Sequence, residues 1–314
     1  MKIAYLFPGQ GSQTVGMGAD LCAHSPAARA AFDEADAYLG TKLSTLCFYG
    51  PEDTLRQTVN AQPALYVTSI AALRVLREAG APAPEAVAGH SIGEYSALSA
   101  AGAFDYATGL TLVEHRAREM HRATLGHPGA MAAILGLEAA AVVDACQSAE
   151  ASGAGIVDAA NFNGSGQVVI SGTPEAVAAA SEIAKSNGAR RVVPLNVSGA
   201  FHSRLMAHAA ESMAHFLVDT EIADTNIPVV ANRTADYETT DQDIRANLAA
   251  QIDNSVRWEE SIARLVADGF DTFVEIGAGA VLAGLMKRLT PGSSVYSVGD
   301  TASVAACIAA LNGE

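Results

Sequence analysis

The chain is poor in positive charge and in cysteine, and it has no long apolar run. Its lysines and arginines number 19 against 34 acidic residues, a formal net charge of −15. Nucleic-acid phosphates need a basic field, so nucleic acid is excluded as a general partner. An acidic partner is also disfavoured unless cations gather locally. Arg190, Arg191, Arg204, Lys287 and Arg288 are the candidates for such a patch, against a plainer reading as solvated surface charge. Cys22, Cys47, Cys146 and Cys307 are scattered without metal-ligand spacing, so no metal site is expected. They read as buried or free thiols in a reducing compartment. No run of about eighteen apolar residues is present, which excludes an apolar membrane-spanning helix. The opening Met1–Pro8 is too short before its proline for a signal peptide and reads as a first strand. A soluble, cytoplasmic protein without membrane contact is expected. Half of the residues are apolar, enough for one large domain or a large domain with a smaller one.

Strands and helices alternate along most of the sequence, the pattern of an α/β fold with a largely parallel sheet. Ile3–Phe7 is predicted as a strand, Gln62–Ala79 as a helix, and Ala86–Ala88 as a short strand before a helical run from Glu94 to Ala101. Ala107–His121 is a further helix. From about residue 127 the rhythm changes. Strands at Ala130–Leu137, Gly155–Asn161, Gln167–Ser171 and Ala189–Leu195 are interleaved with helices at Glu138–Ser152 and Thr173–Asn187, the second capped by Thr173. That order, β-α-β-β-α-β, is the ferredoxin-like pattern. It divides the chain into a large domain, 1–126 and 197–314, and an inserted small one, 127–196. A late strand, Phe273–Ile276, and a helix, Val281–Leu289, complete the large domain.

Residues 89–93 read Gly-His-Ser-Ile-Gly between the short strand and the helical run. In that setting the glycines allow a sharp strand-to-helix turn, with Ser91 at its apex and the Ile92 amide aimed where an oxyanion would form. A serine capping a helix in a glycine-rich turn is the plain alternative. A serine nucleophile needs a base. Among eight histidines, His115, His121 and His127 read as exposed on a polar helix, and His208 and His215 as surface groups. His90 adjoins Ser91 but adjacent residues at an elbow point apart, which suits a structural hydrogen bond better. His202 lies in the loop leaving the last small-domain strand, where clefts between domains form. Gln10, between glycines after the first strand, could donate to the oxyanion.

Together these motifs resemble the malonyl-CoA:acyl carrier protein transacylases and the related acyltransferases of polyketide assembly. The resemblance rests on Phe7–Gln13, Gly89–Tyr95, Gly129–Ala133, Asn161–Gly172 and Phe201-His202-Ser203, in order along nearly the whole chain. It implies an α/β-hydrolase-like core with an inserted ferredoxin-like subdomain. It implies Ser91 as the acylated serine, His202 as general base, Gln10 and the Ile92 amide as oxyanion donors, and Gln251 as the glutamine that orients the histidine. Arg116 would pair with the malonyl carboxylate, register alone separating it from Arg118. Phe201 would crowd a C2 methyl, although Gly199 stands where many polyketide members carry histidine, and His90 joins Phe201 as a selectivity residue. The implied substrates are malonyl-CoA and the phosphopantetheine thiol of an acyl carrier protein, with no cofactor or metal, in a monomer. A serine hydrolase or thioesterase, an acyltransferase for another acyl unit, and a non-enzymatic docking module are the competing readings.

Overall fold

Five consecutive apolar residues, Ile3–Phe7, form β1, and all five are buried. Alternate side chains serve two cores. Ile3, Tyr5 and Phe7 join a cluster with Leu65, Ile70, Leu112 and Val113, from helices Thr58–Glu78 and Tyr106–Gly126. Ala4 and Leu6 face a second cluster with Trp258, Ile262 and Met286. A strand covered on both sides has no polar face to show, hence the unbroken apolar run. The computed structural model describes residues 1–126, 128–197 and 199–313.

The remaining strands are β2 (Ala86–Gly89), β3 (Ala130–Leu135), β4 (Val157–Gly164), β5 (Gln167–Gly172), β6 (Arg191–Pro194), β7 (Val229–Val230), β8 (Tyr237–Glu238), β9 (Thr272–Ile276) and β10 (Ser294–Val298). The large sheet has the order β10-β9-β1-β2-β7-β8. Its pairs are parallel except β7 with β8. The small sheet, β4-β5-β3-β6, is antiparallel throughout. Helices Ala139–Ala151 and Pro174–Ser186 pack on one face of it around Ile134, Val142, Ile170 and Ala180. Met131 and Ala133 point the other way, toward a cleft shared with the large sheet. The mixed α/β class and the β-α-β-β-α-β order agree with the expectation.

Register in the large sheet positions the site. Phe7 pairs with Gly89, so β1 and β2 end level with one another. The loops that follow, Pro8–Gln13 and His90–Ile92, therefore emerge side by side at the carboxyl edge, where parallel sheets place their ligands. His90 N–H donates to Phe7 C=O at 3.0 Å and ties the two loops.

Differences from the sequence reading have local causes. Helices Ala19–His24, Pro26–Leu39, Leu43–Tyr49 and Glu52–Arg56 occupy a stretch to which the reading assigned no element. Three of them run to only 5–7 residues and rest on tertiary packing, whereas Pro26–Leu39 has 14 residues, with Ser25 as its N-cap, Pro26 in its first turn and Gly40 at its end, and buries Ala28, Ala31, Phe32 and Ala35 in the main core. The next helix begins at Thr58, a turn before the expected Gln62, and carries Pro63 inside it. Thr173 caps Pro174–Ser186 as expected, accepting from Ala176 N–H at 3.4 Å. His115 and His121 are only half-exposed rather than exposed, and the His115 ring stacks on Phe216 with centroids 4.0 Å apart. His127 lies outside the described residues.

Candidate active site

The elbow is built by close approach. A Cβ added to Gly89 would sit 2.0 Å from Gly93 C, and one added to Gly93 would sit 2.1 Å from Phe7 O. Neither position takes a positive φ; Ser91 does, at 53°. The glycines thus let helix Gly93–Ala100 press onto β1 and β2, while the serine itself carries the left-handed turn, a conformation costing about 1–3 kcal/mol. Asn232 holds it there. Ser91 N–H donates to Asn232 Oδ1 at 2.6 Å, and Asn232 Nδ2 donates to Gly89 C=O at 2.6 Å.

His202 reaches the same point from the other side of the cleft. It also has a left-handed φ, 56°. Ser91 Oγ lies 2.7 Å from its Nε2. Its Nδ1 lies 2.9 Å from Gln251 C=O and 3.2 Å from Asn254 C=O. A carbonyl oxygen only accepts, so Nδ1 carries the hydrogen and Nε2 presents its lone pair to the serine hydroxyl. Among the described residues no carboxylate stands behind the ring. Burial, then the positive Arg116, lowers the His202 pKa to about 3, so the ring is neutral at any physiological pH.

Arg116 comes from the 106–126 helix and is 1% exposed. Its Nη1 donates to Gln62 Oε1 at 2.5 Å, and its Nη2 to Gln251 Oε1 at 2.8 Å and to Ser91 Oγ at 3.2 Å. Its Nε is buried without an acceptor among the described residues. The guanidinium thus sits beside the serine, held by neutral amides. Arg118, two residues on, instead pairs with Glu114 at 3.0 Å on the helix surface.

Gln251 is central, but differently from the expectation. It orients His202 through its backbone carbonyl, while its side chain holds the rest of the site. Nε2 donates to Ser91 C=O at 3.0 Å and to Glu94 Oε2 at 2.8 Å. Gln10 lines the cleft, and its carboxamide oxygen accepts from Thr58 Oγ1 at 3.3 Å. Thr58 Oγ1 in turn accepts from Gln62 Nε2 at 2.8 Å, so a chain of hydrogen bonds runs from Arg116 to Gln10. This fixes the Gln10 oxygen and leaves its NH2 for the cleft. The backbone N–H of Ile92 has no acceptor among the described residues.

The His90 ring turns from Ser91 toward the small sheet. Nε2 lies 2.9 Å from Asn163 Oδ1 on β4, and the ring centroid is 5.5 Å from that of Trp258. This is the structural hydrogen bond anticipated above. Phe201 is 5% exposed and forms part of the cleft wall with Met120, Met131 and Val197. A Cβ on Gly199 would sit 2.2 Å from Thr124 Cγ2, so a larger residue there would displace Thr124. The cleft has a volume of about 430 Å³. Residues that sequence reasoning missed are Asn232, Gln62, Thr58 and Asn254, whose roles appear only when distant segments meet. Glu94 had one signal, its place directly after the motif, where it reads as an ordinary first-turn acid.

Comparison with known proteins places the chain. The acyl transferase domain family matches residues 4–308. A malonyl CoA-acyl carrier protein transacylase of Bacillus subtilis is 47% identical, over 100% of this chain and 98% of its own. An acyl-carrier-protein S-malonyltransferase from Bartonella henselae superposes with a TM-score of 0.95 at 40% identity, covering 99% of this chain and 100% of that one. A malonyl-transacylase solved in complex with a type II polyketide synthase acyl carrier protein superposes with a TM-score of 0.95 at 41% identity, each chain covered in full. The chain is an acyltransferase, and it belongs to the malonyl-CoA:acyl carrier protein transacylase family.

Proposed function

We propose that the chain moves a malonyl group from malonyl-CoA to the phosphopantetheine thiol of an acyl carrier protein, through a malonyl ester on Ser91. The observation that carries this is Arg116, a buried cation 3.2 Å from Ser91 Oγ with a spare Nε–H. Among the described residues no carboxylate pairs with it directly. A buried guanidinium held only through neutral groups is costly, and a carboxylate that arrives with the acyl group meets it with charge-assisted hydrogen bonds. Malonyl is such a group. The relatives' names support the same substrate and the same class of acceptor.

The proton path follows from the hydrogen bonds. Ser91 Oγ attacks the thioester carbon as its proton passes to His202 Nε2. The oxyanion lies between the Gln10 amide and Ile92 N–H, donors of a kind each supplying about 3 kcal/mol of barrier reduction. The C–S bond breaks, and the coenzyme A sulfur takes the proton back from His202. The carrier thiol then repeats the sequence in reverse, its proton going to His202 as its sulfur attacks the ester carbonyl. Bound malonate also offsets the Arg116 charge that depresses His202, so the base strengthens when the right substrate is present. These side chains and the two thiols supply every proton transfer in the scheme.

For the acceptor, Arg288 donates to Gln167, a residue of the cleft wall, at 3.1 Å. With exposed Lys287 it offers an acidic carrier a positive landing beside the mouth. One chain holds every group used, in keeping with a monomer, and no helix among the described residues is long and apolar enough to cross a membrane. We place the reaction in the cytoplasm, in fatty acid or polyketide synthesis. The test is intact-mass analysis after exposure to mixed acyl-CoAs. A malonyl adduct absent from Ser91→Ala supports the reading; a preference for an uncharged acyl group refutes it.

A further inference from the structure

Two glutamates lie together behind the elbow, and neither lines the cleft. Glu94, in the 93–100 helix, is 0% exposed, and Glu238, on β8, is 1% exposed. Each has one oxygen fully engaged. Glu94 Oε2 accepts from Asn232 N–H at 2.9 Å and from Gln251 Nε2 at 2.8 Å. Glu238 Oε2 accepts from Asn247 Nδ2 at 2.8 Å. The Oε1 atom of each is buried with no hydrogen-bond partner among the described residues. Asn247 and Gln251, which donate to the two carboxyl groups, stand one turn apart on the 241–251 helix, so the carboxyl groups lie side by side. Two ionised carboxylates only accept and repel one another; one proton held between the two Oε1 atoms satisfies both.

We propose that Glu238 is a neutral acid donating its O–H to the Glu94 carboxylate, and that this pair is the positioning element that fixes Gln251 and Asn232 and sets the charge facing Arg116. The assignment of the proton follows from the surroundings. Glu94 receives two N–H donors, and positive Arg116 lies just beyond Gln251. Glu238 receives one donor, and Asp243 on the 241–251 helix adds a negative charge beside it. Among the described residues Tyr95 is also packed here, and burial raises its phenol well above the ordinary range, which keeps it neutral. Burial also raises Glu94 to about 7 and Glu238 well above the usual carboxylate range. With one proton shared, Arg116 and Glu94 balance, and an incoming malonyl carboxylate meets no net negative charge. Loss of that proton adds one negative charge behind the site. The consequence for substrate rests on the malonyl reading above; the shared proton itself does not.

The test uses the full chain with glutamate carboxyl carbons labelled for NMR. A glutamate carboxyl still protonated at neutral pH is expected in the wild type and absent in Glu238→Gln. Wild-type glutamates all ionised by about pH 6 would overturn the shared proton without recourse to any variant. The second readout is KM for malonyl-CoA against pH. The wild type is expected to show a rise of about tenfold as that carboxyl titrates, with kcat moving less. Glu238→Gln, whose amide still donates to Glu94, should stay within about threefold of wild type at neutral pH and lose the alkaline rise. The same rise in Glu238→Gln would overturn the positioning role. A chain that takes no malonyl at all would remove the functional reading while leaving the NMR result decisive for the pair.

Discussion

Replacing Arg116 with alanine tests how far one buried cation sets substrate choice. In the unliganded chain the guanidinium donates to Gln62, Gln251 and Ser91 and keeps Nε free. On malonyl-Ser91 it would give the distal carboxylate two charge-assisted hydrogen bonds, each worth about 1.5–3 kcal/mol. Water entering the vacated space recovers part of that, leaving a loss of about 4 kcal/mol, or roughly 10³ in kcat/KM for malonyl-CoA. Acetyl-CoA should respond in the opposite sense. In the wild type it buries the cation without an anion; in Arg116→Ala that cost is gone, so its rate should hold or rise. The assay is acyl-enzyme formation from malonyl-CoA and acetyl-CoA in competition, read by mass. The ratio of the two products should fall by about three orders of magnitude. A ratio unchanged within about threefold would refute the argument that the guanidinium selects the acyl group.

Four further predictions follow from the same geometry. Asn232→Ala leaves the buried Ser91 N–H and Gly89 C=O unpaired, so urea unfolding should show a loss of about 2–5 kcal/mol, with acylation slowed as the elbow relaxes. Gly93→Ala drives a Cβ against the Phe7 carbonyl and should cost more than about 3 kcal/mol or prevent folding; Gly284→Ala, with nothing within 4 Å, should be neutral or stabilising in the same melts. Because burial and Arg116 hold His202 at about 3, kcat/KM for acylation should keep its full value down to about pH 5, and an acid limb near the ordinary 6.5 would contradict the depressed pKa. The same depression means the unfolded chain binds that proton first, so this group's contribution to stability is present above about 6.5 and is lost as pH falls toward 3. Charge reversal at Lys287 and Arg288 should raise KM for the carrier protein while leaving that for malonyl-CoA unchanged, measured at low salt where such steering is strongest.

Much of the architecture was legible because periodicity reports burial. The unbroken run Ile3–Phe7 and the alternation of the small sheet reflect strands whose faces meet different cores. Of the helices at 19–56, the three of 5–7 residues were not, because such short turns owe their existence to the core they cap; Pro26–Leu39 did carry end signals, Ser25-Pro26 and Gly40, which the sequence reading passed over. In the site, Ser91 carried a local signature, since a helix pressed onto two strands demands glycine at 89 and 93. His202 needed the position of its loop. Arg116 had no signature without a family resemblance, for a helix arginine looks the same in sequence whether it points inward or, like Arg118, outward. Glu94 meets Asn232 and Gln251 across more than a hundred residues of chain, and no pattern of neighbouring residues encodes that. The role of Gln251 shows the same limit: the residue was legible, but its division between a backbone carbonyl for His202 and a side chain for Arg116, Ser91 and Glu94 was not.

The central claim is that Ser91 holds a malonyl group for a second thiol rather than for water. Malonyl-enzyme can be isolated free of coenzyme A and mixed with a holo acyl carrier protein, and the label followed by mass on serine, on the phosphopantetheine thiol and as free malonate. The account predicts that malonyl leaves Ser91 for the carrier thiol, and that it persists on the serine when the carrier is withheld. Release mainly as free malonate, with or without the carrier, would contradict it.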